Sequence, residues 1–210
     1  MPGNEGGESQ MEKRAYVPRA EGRVLLVNAT IDLLRELPFD EVTVRRIAER
    51  ANLNTKAIGN IFGRQQDLFI EVTRELGSRF ADILTPLPES EIQVGLPVQG
   101  DFVLRTKLVS WLIGQGVTPE TFVLDPSLNV TATLQARQMQ AGLSENAARF
   151  FAELLRYLAE GFVMFSGTHE THEGDLELAA RFLERVRADL PRLTEGLWSE
   201  AEASRNEHRL

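Results

Sequence analysis

Residues 43–62 read TVRRIAERANLNTKAIGNIF, and two short helices with a tight turn between them account for the pattern. Thr43 opens the first as an N-cap, because its hydroxyl accepts from backbone N–H groups that the first turn leaves without partners. Val44, Ile47, Ala48 and Ala51 then share one face at i, i+3, i+4, i+7, with Arg45, Arg46, Glu49 and Arg50 on the other. Asn52 ends this helix, since Asn tolerates the left-handed backbone of a helix C-terminus better than most residues other than Gly. Leu53 tucks into the corner. Asn54 is a second N-cap and opens a helix to about Phe62. Two arrangements fit: a plain helical hairpin inside a bundle, or a helix-turn-helix.

In a helix-turn-helix the N-terminal half of the second helix enters the major groove. Here that half presents Thr55, Lys56, Ala57 and, one turn on, Asn60. All are small, polar or basic, so a DNA backbone can approach. Lys56 suits a guanine edge or a phosphate, and Asn60 suits adenine N6/N7. The helix N-termini at Thr43 and Asn54 can donate N–H groups to phosphates. Thr43, Arg45 and Arg46, with Thr55, are candidates for positioning the head on the DNA backbone.

The flanks separate the two arrangements. The run Arg23 to Phe69 resembles the TetR family of bacterial transcription regulators. The matching residues are Arg23, Leu26-Val27, Ala29, Leu33-Leu34, Phe39, Thr43-Val44, Ile47-Ala48, Ala51, Leu53, Ile58, Phe62 and Leu68-Phe69, with no insertion between them. The resemblance covers about the first third of the chain and is specific as a set. It implies an all-α protein. An N-terminal three-helix DNA-binding domain would span residues 19–66, and a helical ligand-binding and dimerisation domain would span 67–210. It departs from the family at Gly59, where an aromatic is usual, at Ile61, where a polar residue is common, and at Gln65, where a Lys is usual. Two customary phosphate contacts are therefore missing, and Arg64 is the candidate replacement for the Lys.

The net charge of −8 is unevenly placed. Residues 19–66 carry eight Lys/Arg against six Asp/Glu, a net +2, and residues from 67 onward carry −9. A mildly basic head on an acidic body directs DNA to the head, because phosphate attraction dominates non-specific binding. There is no cysteine, which excludes disulfides, thiolate metal sites and cysteine catalysis. No stretch has the apolar core of a secretory signal or the roughly 20 apolar residues of a membrane span, so a cytoplasmic protein without a membrane partner is expected.

Residues 1–18 are Gly-rich and polar and are expected to be disordered, with Lys13-Arg14 and Arg19 as either a solvated tail or a basic arm. The first helix is expected over Ala20 to Leu37, closed by Pro38. Phe39 is expected to plug the three-helix core. A fourth helix should run from Gln65 to about Leu84. The stretch TPLPESEIQVGLPVQG, residues 85–100, breaks the helical pattern. Further helices are expected over Asp101 to Gln115, Glu120 to Leu124, Ser127 to Ala141, Ser144 to Phe165 and Asp175 to Leu190. The Ser144 helix is apolar on two faces and so must be covered on two faces.

In the resembling family the last two long helices form a four-helix bundle with their two-fold mates. Leu154, Leu158, Phe165, Ala179, Phe182, Leu183 and Val186 are the candidates for that dimer interface, and a homodimer suits a palindromic operator. Phe80, Phe102, Leu108, Trp111, Phe122, Met139, Phe151 and Phe162 are the candidates for lining a pocket for a small apolar effector, with a polar handle near Gln135 or Gln138; the plainer alternative is that they fill core. His169 and His172 stand among acidic residues but lack a close third histidine, so a solvated loop is favoured and no metal is expected. No phosphate loop or nucleophile motif is present, and neither a cofactor nor an enzyme is expected. The expected function is that of a ligand-responsive, homodimeric DNA-binding repressor acting on double-stranded operator DNA. The rival is a helical ligand-binding or interaction protein whose head no longer binds DNA.

Overall fold

A computed structural model describes residues 17–86, 100–122, 130–168 and 174–194. Every element among the described residues is helical, in agreement with an all-α fold. The chain divides into two compact units, residues up to Leu68 and residues from Phe69 onward.

The first unit is built on three helices: α1 (Arg19–Glu36), α2 (Val44–Arg50) and α3 (Lys56–Phe62). Leu26, Ile31, Ile47 and Ile58 are fully enclosed and form its centre, joined by Leu34, Val42, Ala48 and Leu53. Phe39 does not plug this core. It sits half-buried in a single 3-10 turn, Phe39–Glu41, and Val42 is the residue that turns inward. The reason is the turn itself: the Val42 N–H folds back to the Phe39 carbonyl, which carries the chain one residue further before it enters the interior. Gly22 marks a close approach of α1 to α3, since a Cβ there would lie 3.1 Å from the Ile61 Cδ1.

The corner between α2 and α3 follows the sequence closely. Thr43 caps α2, its Oγ1 accepting from the Arg46 N–H at 3.3 Å. Asn52 adopts φ 53° and is the positive-φ non-glycine among the described residues. The Asn52 N–H bonds the Glu49 carbonyl at 3.1 Å and the Leu53 N–H bonds the Ala48 carbonyl at 2.9 Å. That pair of bonds is the Schellman arrangement, with buried Leu53 supplying the apolar contact that accompanies it. Asn54 then caps the next helix, its Oδ1 accepting from the Lys56 N–H at 2.8 Å.

The boundary between the units falls within α4 (Gln65–Leu84). The second unit continues with α5 (Gly100–Gly114), a 3-10 turn (Pro119–Phe122), α6 (Val130–Gln140), α7 (Glu145–Phe165), a 3-10 turn (Ser166–Thr168) and α8 (Asp175–Leu193). Its main core draws on four helices: Phe80, Ala81 and Leu84 from α4, Phe102 from α5, Val130 and Leu134 from α6, and Ala152 and Ala159 from α7. Phe80 and Phe102 stack at 4.9 Å between centroids. A second cluster, Ala147, Phe151, Leu155 and Leu190, joins α7 to α8. Gly142 ends α6 with φ 97°, and Ser144 caps α7 through the Ala147 N–H at 3.4 Å.

Two further expectations are modified. The helix placed at Glu120 to Leu124 is a 3-10 turn over Pro119–Phe122, with Thr118 and Thr121 sharing a hydroxyl bond of 3.1 Å across it. The last helix runs through Pro191 to Leu193 instead of stopping at Leu190, because the Thr194 N–H still reaches the Leu190 carbonyl at 3.0 Å. Proline there deletes one N–H without blocking the bonds on either side. The expected stretches 1–16, 87–99, 123–129 and 169–173, with both histidines of interest, and the end beyond Thr194 lie outside the described residues.

Asn52 provides a direct test of the corner. Asn52→Ala is expected to cost about 1–2 kcal/mol in urea unfolding, the penalty of a left-handed backbone for an ordinary L-residue, while Asn52→Gly keeps wild-type stability.

Candidate nucleic-acid interface

The exposed face of α3 is made of Thr55, Lys56, Gly59 and Asn60, with Ile58 turned into the core. Those four positions recur at i, i+1, i+4, i+5 and so present one continuous stripe. Ala57 is half-buried at its edge. Asn54, just before the helix, is exposed, but its Oδ1 is committed to the Lys56 N–H. No carboxylate among the described residues pairs with Lys56. A Cβ added at Gly59 would meet nothing within 4 Å, so this face carries open space where the resembling family has an aromatic ring.

Ile61 and Gln65 explain themselves by what they touch. Ile61 packs over Gly22, and an apolar side chain is what that gap accepts. Its carbonyl accepts from Arg19 Nη2 at 3.4 Å. The Gln65 amide donates to the Val42 carbonyl, which turns this side chain back into the head and away from solvent. Phe62 closes the other end of the helix, lying under the Arg23 guanidinium at 5.1 Å.

The remaining cations of the head are engaged with its own acids. Arg45 pairs with Glu49 at 2.8 Å, Arg46 with Glu41 at 3.4 Å, and Arg50 grips Glu36 with two bonds of 2.9 and 2.6 Å. Arg64 forks onto Asp67 at 3.1 and 3.0 Å. Its own backbone N–H also bonds Asp67, so Asp67 caps the start of α4. These pairs are exposed. Exposed pairs contribute little and are screened by salt, so a phosphate can exchange into them.

The Arg64 guanidinium holds the Asp67 carboxyl below its ordinary value of 3.8, partly offset by burial and reinforced by the Arg64 N–H. The Arg50 guanidinium lowers Glu36 in the same way.

The second unit holds a half-open cavity of about 710 Å³ between α5 and α7, bordered by the Pro119–Phe122 turn and the start of α6. Of the expected pocket residues, Phe102 and Phe122 line it. Phe80 stands behind Phe102, Trp111 packs on Phe69 at 5.9 Å, Leu108 and Phe151 are fully enclosed, Phe162 is half-buried and Met139 is exposed. Gln138 is buried with an unpartnered Oε1, Gln135 is half-buried, and neither lines the cavity. Sequence reasoning missed the polar lining: Arg105, Thr106, Glu153, Arg156 and Glu160. Arg156 Nη1 lies 3.0 Å from each Glu160 carboxylate oxygen. The signal for these residues was present in the spacing 102, 105, 106, 109 on α5 and 153, 156, 157, 160 on α7, two helix faces of matching period.

The expected interface residues divide into two groups. Leu154, Leu183 and Val186 lean on the α7–α8 cluster. Leu158, Phe165, Ala179 and Phe182 are exposed, at 49%, 59% and 63% for Leu158, Phe165 and Phe182. Phe150, Tyr157 and Leu178 extend this apolar surface along both helices.

No family model matches the chain, and no curated protein does. Among solved structures, the chain is similar to the TetR family repressor AlkX from Dietzia sp. Strain DQ12-45-1b, implicated in biodegradation of n-alkanes. The identity is 17%, with 84% of this chain and 98% of that one covered and a TM-score of 0.45. It is also similar to the multidrug binding protein EbrR complexed with imidazole, at 16% identity, with 81% of this chain and 97% of that one covered and a TM-score of 0.44.

Two outcomes follow. Gly59→Ala is expected to raise stability by about 1 kcal/mol in urea unfolding, since the site is open and Ala outranks Gly in a helix. The Asp67 carboxyl is lower in the folded state, so its contribution is full above the ordinary carboxylate pKa and is lost as pH falls through the folded value. Asp67→Asn is therefore expected to flatten the acid limb of a pH–stability curve measured by circular dichroism.

Proposed function

We propose that this protein is a DNA-binding transcriptional regulator of TetR type, a homodimeric repressor released from a palindromic operator by a small-molecule effector. The observation that carries the reading is the exposed α3 stripe of Thr55, Lys56, Gly59 and Asn60 on a helix held by a well-formed helix-turn-helix corner. Lys56, without an acidic partner, addresses a guanine edge or a phosphate. Asn60 addresses adenine, and Thr43, Arg45, Arg46 and Arg64 address the DNA backbone. A second copy of the chain covers the apolar α7–α8 face, because exposed apolar patches of this kind mark association sites. The effector occupies the cavity of the second unit, and DNA and effector then weaken each other by the same factor. Regulation, rather than catalysis, is the role of the chain.

One observation favours a second reading, a helical effector-binding protein without operator affinity. Gln65 is turned onto Val42, Arg64 is held by Asp67, and Gly59 offers no side chain.

Selection of bound duplexes from a random library at two salt concentrations separates the two. A palindromic winner with affinity that falls steeply with salt is expected; a folded dimer that enriches nothing points to the second reading. On the selected duplex, Lys56→Ala is expected to lose about 1–3 kcal/mol of binding with the dimer intact, and unchanged affinity removes Lys56 from the interface. Phe182→Glu is expected to shift the sedimentation coefficient to that of a monomer, as a buried charge opposes an apolar interface.

A further inference from the structure

We propose that the α5–α7 cavity takes a small organic carboxylate whose anionic end is held by Arg105 and Thr106 and whose apolar body lies against Phe102 and Phe122; this rests on the regulator reading and names the chemical class of its effector. Arg105 and Thr106 are consecutive on α5 and both line the cavity. Arg105 Nε and Thr106 Oγ1 are both buried and both lack a hydrogen-bond partner. Buried polar groups in folded proteins are paired as a rule, and an unpaired one asks for a partner.

Thr106 is the exception among the buried threonines of these helices. Thr30, Thr73 and Thr194 turn their hydroxyls back onto the carbonyls of Leu26, Ile70 and Leu190, at 2.7 Å each. That back-bond is the usual way for a helical Thr to satisfy itself, and Thr106 leaves its hydroxyl unbonded beside Arg105. Arg105 is a half-buried cation whose Nε makes no hydrogen bond. Its neighbour Glu160 is engaged by Arg156 through two contacts of 3.0 Å. Burial pushes the Arg105 guanidinium below its ordinary value, with the Glu160 charge opposing and the Arg156 charge adding to the effect. Burial is the larger cause of that shift, and no hydrogen bond at Nε offsets it.

A carboxylate answers this arrangement better than other groups. It accepts from guanidinium N–H and hydroxyl donors together and supplies the opposite charge. An alcohol satisfies Thr106 and leaves Arg105 uncompensated. An ammonium is repelled by Arg105 and Arg156, and of the two acids in the lining Glu160 is engaged by Arg156, which leaves the half-buried Glu153. The apolar part of the lining continues through Val109, Val130 and Met164, beside Glu153 and the Arg156–Glu160 pair, and the volume of about 710 Å³ admits a molecule of drug size.

The test is calorimetric titration of the full chain with three shape-matched probes, 4-phenylbutyrate, 4-phenylbutanol and 4-phenylbutylamine. The carboxylate is expected to bind about tenfold tighter than the alcohol, with the amine weakest. Arg105→Met is expected to bring the carboxylate to the level of the alcohol and to leave the alcohol unchanged. Should Arg105→Met fail to fold, the near-isosteric Thr106→Val carries the test, with a several-fold loss expected for the carboxylate. Equal or tighter binding of the alcohol or amine, no binding of any probe to the folded protein, or a carboxylate preference that survives the substitution overturns the proposal. The selected duplex keeps the two readings apart. Duplex binding without carboxylate preference removes this inference and leaves the regulator. Carboxylate preference without duplex binding does the reverse.

Discussion

The first unit depends on one backbone conformation, the left-handed turn at Asn52. With φ at 53°, the chain reverses quickly enough for the Leu53 N–H to return to the Ala48 carbonyl and for the Leu53 side chain to enter the core. Any residue that preferred an ordinary helical φ at this point would let α2 run on, and Leu53 would lose its place. The angle between α2 and α3, and hence the face that α3 shows to solvent, is set by this residue and by the two side-chain caps beside it. Thr43 and Asn54 fix where each helix begins, and Asn52 fixes where the first one stops. The head is thus specified by three polar residues on its surface as much as by Ile47 and Ile58 in its centre.

The second unit is governed by a different constraint, the double apolar character of α7. One face of this helix is satisfied internally, by Ala147, Phe151 and Leu155 against α8 and by Ala152 and Ala159 against α4, α5 and α6. The other keeps Leu158 and Phe165 in solvent. The row of Glu153, Arg156, Tyr157 and Glu160 forms one wall of the cavity, and Phe165 borders both the cavity and the exposed patch. A single helix therefore sorts three environments around its circumference: core, surface patch and polar-lined cavity. Small residues at 147, 148, 152 and 159 make the sorting possible, because they let neighbouring helices close against the buried side.

The helical plan was legible because its signals are local. Thr43, Asn52, Asn54, Gly142 and Ser144 act on the backbone within a few residues of themselves, and α4 begins and ends where its apolar period does. What was not legible depended on partners far along the chain. Phe39 looked like a core residue by type, yet the 3-10 turn around it gave the interior to Val42. Gln65 looked like a lost phosphate contact, and its bond to Val42, 23 residues away, could not be read from its neighbours. The cavity was hardest. Aromatic residues announce apolar space but not whether it is filled, and six of the eight candidates are absent from the lining. Arg105 and Thr106 stand out only once it is known that nothing bonds to them.

On the proposed regulator reading, the ion pairs of the head have a consequence for how such a protein would search a chromosome. Arg45, Arg46, Arg50 and Arg64 each carry their own carboxylate, so the head brings internal counter-ions to any phosphate surface. Contact with a random stretch of duplex must displace those carboxylates and hold them close to the phosphates they compete with. The electrostatic gain from an arbitrary site is then small, and fewer molecules are lost to the vast excess of irrelevant sequence. A cognate site, where α3 seats in the groove, can make the exchange worthwhile through geometry. A head with little free charge gives up speed of capture and gains a larger contrast between the right site and all the others.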